Sequence, residues 1–453
     1  MRSQVIFTAA VFAGLLGEAF IPAQTKGLDG PALKERTQEV QKRIGDEVGS
    51  LEALYKHLHA NPELSLQELQ TAARMAQELK KLGFEVTEKV GGTGVVGVLK
   101  NGKGPTVLVR ADMDALPIVE QTGLPYASKV RVRDKHGAEV GVMHACGHDM
   151  HMTCWVGAAR VLAALKDRWQ GTLVFVAQPA EEIGAGAKAM LDDGLYERFP
   201  RPDYCLALHC DSRSPHGQVI YSEGLALANV DSVDITVRGK GGHGSTPNAT
   251  IDPIVLAARI IIDLQTIVSR ERDPFDPVVV TVGSVHGGTK HNIIPPEVKL
   301  QLTVRTTKDL TRKQTLDAIK RIANAAAVGA RAPEPIITHD PGSFTPALYN
   351  DVPLARNTAG VLRAALGEDN VRERPPVLGG EDFGRFAGTG DKKTPIFLFF
   401  LGTLAPERFA EAAKPGGRPI PSLHSDEYYP IPEPTIRAGV LGLSLGALNL
   451  LAK

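Results

Sequence analysis

The chain is most constrained by a series of short apolar runs, rich in branched residues, at positions 95–99, 106–110, 173–178, 204–208 and 395–401. A strand with one wet face alternates apolar and polar residues. Runs that stay apolar at successive positions need cover on both faces, as buried parallel strands do. Helical stretches lie between several of them, notably 152–166 and 185–191. Residues 35–83 carry helical spacing through Leu51, Leu54, Tyr55 and Leu58, then Ala72, Met75, Ala76 and Leu79, as two packed helices ended by Gly83. This order predicts an α/β fold with a mostly parallel sheet flanked by helices.

Residues 230–332 follow another pattern. A strand at 232–238, a helix at 253–270, strands at 278–285 and 297–306, a helix at 312–328 and a strand at 335–338 give a β-α-β-β-α-β order. That is a ferredoxin-like unit inserted into the first domain. Val298, Leu300, Leu302 and Val304 alternate, which predicts a sheet with one covered face. The expected division is a main domain over 35–229 and 341–453 with an insert over 230–340. The 453-residue length suits two domains.

Residues 1–25 form a separate segment: Arg2, an apolar run over 5–20 interrupted by Glu18, then small residues around Ala23. This is the layout of a cleaved signal peptide, predicting a periplasmic or secreted protein. Read instead as an anchor, the run falls short of the roughly 20 apolar residues a spanning helix needs, so no membrane span remains after cleavage. With 51 basic and 51 acidic side chains the net charge is zero, which excludes the electrostatic footprint of a nucleic-acid binder. Four cysteines in an exported chain raise the question of disulfides. The pairs 146/154 and 205/210 are poorly placed for one, whereas a long-range pair such as Cys154 with Cys205 stays open.

In an open α/β sheet, ligands bind beyond the carboxyl ends of the strands. The run at 106–110 leads to Asp112 and Asp114, that at 173–178 to Glu181 and Glu182, and that at 204–208 to His209. Cys146 and His148 precede a helix, and His144, Cys146 and His148 alternate as if on one side of an extended segment. Singly, each has a plain explanation: a core cysteine, a solvated histidine, acids at a helix start. Together, thiolate, imidazole and carboxylate are the donors that hold zinc and related ions. Paired glutamates also answer a hydrolase's need for one carboxylate on a metal and one held off it as a base: Glu182 suits the first role and Glu181 the second.

The chain resembles peptidase family M20, subfamily D, the hippurate hydrolase, N-acyl-amino-acid amidohydrolase and auxin-conjugate hydrolase group. The resemblance rests on His57-Leu58-His59-Ala60-Asn61-Pro62-Glu63-Leu64-Ser65, Arg110-Ala111-Asp112-Met113-Asp114-Ala115-Leu116-Pro117 and the segment 144–149. Further matches are Gln178-Pro179-Ala180-Glu181-Glu182, Gly241-Gly242-His243-Gly244, Asn292-Ile293-Ile294-Pro295, Gly379-Gly380-Glu381-Asp382-Phe383 and Leu423-His424-Ser425.

It implies a zinc-peptidase-like catalytic domain, with the insert as lid and dimerisation domain of a homodimer. Two divalent ions (Zn, Mn, Ni or Co) would be held by Cys146, His148, Glu182, His209 and His424, with Glu181 as general base. Asp114, and with it Asp112, would orient a ligand imidazole. His243 of a dimer partner would donate to the developing oxyanion, Asn292 and Arg305 would hold the substrate carboxylate, and Gly380 would line the acyl pocket. The implied reaction is amide hydrolysis of an N-acyl or N-aroyl amino acid or a short peptide. Two alternatives stand beside it: a non-catalytic exported protein that binds metal or peptide, and a strict dipeptidase or deacylase. Residues 129–140 depart from the family pattern in length and charge, and predict a hairpin near the cleft mouth.

Overall fold

The computed structural model describes residues 27–134, 137–339, 344–388 and 393–453; the signal peptide expected over residues 1–25 lies outside them. Strands β1 (Glu85–Val90), β2 (Gly94–Asn101), β3 (Thr106–Asp112), β4 (Gly171–Gln178), β5 (Tyr204–Pro215) and β6 (Val219–Tyr221) come first. A second group follows: β7 (Asn229–Arg238), β8 (Val278–Gly287), β9 (Glu297–Thr306) and β10 (Ile336–Thr338). The last two are β11 (Val371–Glu373) and β12 (Ile396–Leu404).

The main sheet has the order β1-β2-β4-β3-β5-β12-β6-β11. Its centre, β4-β3-β5-β12, is parallel, as the continuous apolar runs predict. The antiparallel pairs β1–β2, β2–β4 and β12–β6 lie to either side. Helices α1 (Gly30–Ala60), α2 (Leu69–Lys81), α3 (His148–Ala164), α4 (Val352–Leu366) and α5 (Pro432–Leu450) contribute to the core on one face, where Tyr55, Trp155 and Leu441 are buried. On the other face Ala187 and Met190 of the helix Gly186–Asp192 pack with Phe383 and Phe386. Helix α5 is buried nearly all round, which is why its sequence lacks a polar stripe.

The second sheet has the order β8-β9-β7-β10, antiparallel throughout, which is the ferredoxin-like arrangement. Val298, Leu300, Leu302 and Val304 are all buried beneath the helices Pro253–Arg270 and Asp309–Gly329. Each such burial stabilises by about 1.5–3 kcal/mol, so the covered face holds this layer together. Asp252 caps the first of these helices by accepting from the Ile254 amide at 2.8 Å, ahead of Pro253 in the first turn. The start of β7 is tied to the returning chain: the amides of Val230 and Thr345 donate reciprocally to each other's carbonyls at 2.8 and 2.9 Å.

All four cysteines are free and buried, so the Cys154–Cys205 pair is not formed. Arg131–Arg133 pairs antiparallel with Glu139–Gly141, forming the expected hairpin; residues 135 and 136 lie outside the described set. Its Val130, Val132 and Val140 pack on Leu64, Ala115 and Val142.

Candidate metal centre

The carboxyl ends of the central strands open onto one crevice. β3 ends at Asp112, two residues before Asp114, and β4 ends at Gln178. The backbone then turns at Ala180, φ 51°, and presents Glu181 and Glu182. His209 lies within β5. Cys146 and His148 flank Gly147, φ 84°, at the start of α3. A Cβ at Gly147 would sit 2.9 Å from Cys210 Sγ, so this turn requires glycine. The segment is therefore a turn rather than the extended stretch expected. His144 does not join the cluster; it is buried, with neither ring nitrogen hydrogen-bonded. His424, φ 66°, donates its amide to Ala145 O at 2.8 Å, which fastens a distant loop to the Cys146 turn. Non-glycine residues in the left-handed region cost of order 1 kcal/mol or more, and two of them, Ala180 and His424, lie in this crevice.

The ligand atoms of Cys146, His148 and His209 all lie within 4.8 Å of one another, as do those of Cys146, Glu182 and His424, and those of His148, Glu181 and Glu182. Cys146 Sγ is 3.6 Å from His209 Nε2, His424 Nε2 is 3.5 Å from Glu182 Oε2, and His148 Nε2 is 3.8 Å from Glu182 Oε1. Two triads that share Cys146 can seat two ions side by side. His209 donates from Nδ1 to Cys210 O at 2.8 Å, which leaves the Nε2 lone pair facing Cys146.

Asp114 organises this cluster from behind. Its Oδ1 accepts the Glu181 amide at 3.1 Å and lies 3.4 Å from His148 Nδ1; its Oδ2 accepts the Glu182 amide at 3.0 Å and Ser65 Oγ at 2.6 Å. Asp112 accepts from His151 Nδ1 at 2.6 Å, while His151 Nε2 accepts the Cys210 amide at 2.8 Å. His151 is thereby fixed as the neutral Nδ1–H tautomer.

Electrostatically the crevice demands positive charge. Burial pulls His148 toward neutrality, yet Asp112, Asp114 and Glu182 outweigh it and push its pKa up to about 10. Burial lifts Glu182 to about 7 and, with Glu381, Glu182 and Asp382 nearby, holds Glu181 well above the ordinary carboxylate range. Burial also holds His209 below its ordinary value and His424 at about 4, so both rings are neutral donors at pH 7. Both His148 nitrogens and Glu182 Oε1 are buried without a hydrogen-bond partner. Orphaned donor atoms in an acid-rich pocket fit bound cations.

Several participants were not singled out from sequence. Arg110, fully buried in β3, donates to Gln178 at 2.9 Å, Asp112 at 2.9 Å, Glu381 at 2.8 Å and Asp382 at 3.2 Å. An arginine closing an apolar run is the signal that would have found it, because such a charge must be paired inside. His59 is enclosed by Asp149 Oδ2 at 2.7 Å and Glu120 Oε1 at 3.0 Å, all three side chains with no exposure.

The cluster opens into a cavity of about 830 Å³ lined by both sheets' domains, including Arg305, Leu227, Phe400 and Gly380. Arg305 donates to Leu378 O at 2.9 Å. A side chain at Gly380 would meet Val230 Cγ2 at 2.6 Å. His243 and Asn292 do not line this cavity. Both are exposed, on adjoining segments in which His243 pairs with Ile293 and the Gly244 amide donates to Asn292 O. The 131–141 hairpin is not part of the lining either; its valines pack on the Leu64–Ala115 cluster.

The model of peptidase family M20/M25/M40 matches residues 108–414. Thermostable carboxypeptidase 2 of Saccharolobus solfataricus is 38% identical over 353 residues, covering 77% of this chain and 84% of that protein. Hippurate hydrolase of Campylobacter jejuni is 40% identical over 345 residues, covering 76% and 86%. Among solved structures, the Bacillus subtilis YXEP protein, a dinuclear metal binding peptidase from the M20 family, aligns with TM-score 0.69 at 29% identity over 90% of this chain and 99% of that one. Matches of this extent, on a crevice built of metal-binding side chains, settle the family: the chain belongs to peptidase family M20/M25/M40, as a metal-dependent amidohydrolase.

Proposed function

We propose that the protein hydrolyses the amide bond of N-acyl or N-aroyl amino acids, or of short peptides, with Glu181 as general base beside two ions held by Cys146, His148, Glu182, His209 and His424. The observation that carries this reading is the convergence of those five side chains in one crevice with a sixth, Glu181, 4.0 Å from His148 Nε2. Two divalent ions held by those residues would supply Lewis acidity, able to bring a water's pKa from about 15.7 toward roughly 7. Thiolate, imidazole and carboxylate together suit Zn, Mn, Ni or Co.

Glu181 takes a proton from the attacking water and passes it to the leaving nitrogen. Burial and acidic neighbours raise the proton affinity of Glu181 in the empty crevice, and cations bound beside it would favour the carboxylate that accepts the water's proton. Asp114 fixes the backbone of both glutamates, and with Asp112 it sets the orientation of His148. Arg305 holds the substrate carboxylate from the inserted domain, and Gly380 leaves room for the acyl group.

His243 and Asn292 lie off the cavity of their own chain, which supports their acting on the crevice of a second copy, as in a homodimer formed through the inserted domain. Strand β8 is an open sheet edge carrying the exposed Val285, a surface suited to that contact. The same reading takes the protein as periplasmic or secreted, from its first 25 residues. The relatives named for hippurate hydrolysis and carboxypeptidase activity support the substrate class. Turnover of a panel of N-acetyl, N-benzoyl and indole-acyl amino acids, before and after chelation, tests it: hydrolysis abolished by chelation is expected, and a chelator-insensitive rate overturns it.

A further inference from the structure

Beyond His209, β5 continues into Cys210, Asp211, Ser212 and Arg213, and this stretch forms part of the cavity wall. Asp211, 3% exposed, accepts from Arg374 Nη1 at 2.8 Å, from Arg213 Nε at 3.1 Å and from Ser214 Oγ at 2.9 Å. One carboxylate thus faces two guanidinium groups, and the cluster carries a net positive charge. Arg374 lies over the Phe400 ring, 3.9 Å from its centroid, and the same ring stands 6.0 Å from His209. The cluster is therefore one side chain away from the metal centre.

A structural staple between β11 and β5 would need only one arginine. Here Arg374 keeps Nε and Nη2 buried without a hydrogen-bond partner. Arg374 does not line the cavity: it sits behind the Phe400 ring and satisfies Asp211 from there, so the Arg213 guanidinium keeps its charge for an anion in the cavity. Burial, and then the neighbouring Arg213, hold the Arg374 pKa below its ordinary value despite Asp211. Arg213, whose side chain is 59% exposed, lines the cavity beside Phe400 and His209. The other cavity arginine, Arg305, belongs to the inserted domain and already donates to Leu378 O.

We infer that Arg213, with Arg374 behind it offsetting the charge of Asp211, forms a second anion subsite of the substrate cavity, which recognises a carboxylate additional to the α-carboxylate of the amino-acid half. The inference rests on the amidohydrolase reading and narrows it: preferred substrates carry two carboxylates. The second one belongs either to a dicarboxylic acyl group or to an acidic amino-acid side chain, and guanidinium groups suit both.

Binding is measured by calorimetry on the full-length, metal-loaded Glu181→Gln protein, so that affinity is read without turnover. N-acetylglutamate is compared with N-acetylglutamine, and N-succinylglycine with N-butyrylglycine. The anionic member of at least one pair binds about tenfold tighter or more, as one charge-assisted hydrogen bond provides, and the pair that responds identifies the half of the substrate being read. Added Arg213→Gln or Arg374→Gln brings that ratio to within about threefold of unity and leaves the neutral member's affinity unchanged, whereas Arg213→Lys retains part of the preference. Should Arg374→Gln fail to fold, the exposed Arg213 carries the test alone. Equal affinities in both pairs, no binding by any member, or a preference that survives Arg213→Gln overturns the inference. Turnover of the same compounds by the unsubstituted enzyme is scored separately, because absence of hydrolysis sinks the amidohydrolase reading while leaving a binding preference intact.

Discussion

Asp114→Asn exposes the logic of the crevice, because it changes one atom and almost no volume. Each carboxylate oxygen of Asp114 serves one glutamate amide: Oδ1 that of Glu181 and Oδ2 that of Glu182. An asparagine has a single acceptor oxygen, so in either orientation its amide group meets one of those N–H donors and leaves it buried without a partner. Turned toward Oδ2, it faces the Glu182 amide, although Ser65 Oγ can then accept instead of donate. Turned toward Oδ1, it faces the Glu181 amide and His148 Nδ1 together.

An orphaned buried donor costs about 1–3 kcal/mol. That strain falls on the turn carrying the proposed base and a proposed ligand. Converted to rate, it lowers kcat/KM at saturating metal by roughly 5- to 150-fold. Metal affinity falls about 10- to 100-fold, as is usual when a group supporting a ligand is lost. Chelator competition gives the metal affinity, and steady-state kinetics with added metal give the rate. Values for both within threefold of the unsubstituted enzyme would refute the role assigned to Asp114.

Two further predictions concern neighbouring elements. His59→Leu leaves Asp149 and Glu120 buried without their cation and destabilises the protein by about 3–5 kcal/mol in chemical denaturation. Burial lowers the His59 pKa, but its two carboxylates push it up to about 9 from 6.5, so its contribution is complete below about 6.5 and is lost as pH rises through about 9. The stability lost between pH 7 and 10 should shrink in the variant. His243→Ala lowers kcat with metal content unchanged, and mixing it with Glu181→Gln chains restores part of the activity if His243 serves a second copy. No recovery in verified mixed dimers rejects that role.

The fold was legible where one face or both faces of an element are buried. The runs at 106–110 and 204–208 gave parallel central strands, and the alternation at 298–304 gave a sheet covered on one side. Short or mixed strands such as Val219–Tyr221 and Val371–Glu373 carry too few residues for a periodic signal, and they went unread. Within the site, Cys146, His148, Glu182 and His209 announce themselves by following strands or opening a helix. His424 lies in a loop and was reached by resemblance alone. Arg110 meets Glu381 across 271 positions of sequence, and His59 meets Glu120 across 61. Such pairings are set by tertiary packing, which local patterns do not encode. His243 and Asn292 mark the opposite case, where the motif is plain but one chain does not bring it to the crevice.

In the proposed mechanism Glu181 works beside a two-ion cluster without belonging to it. Metal content and turnover, measured on a single preparation of Glu181→Gln, address it most directly. Two ions per subunit are retained and the rate falls at least about 10²-fold, the lower end of what a general base contributes. Loss of an ion would make Glu181 a ligand, and a retained rate would show that the proton is carried by another group.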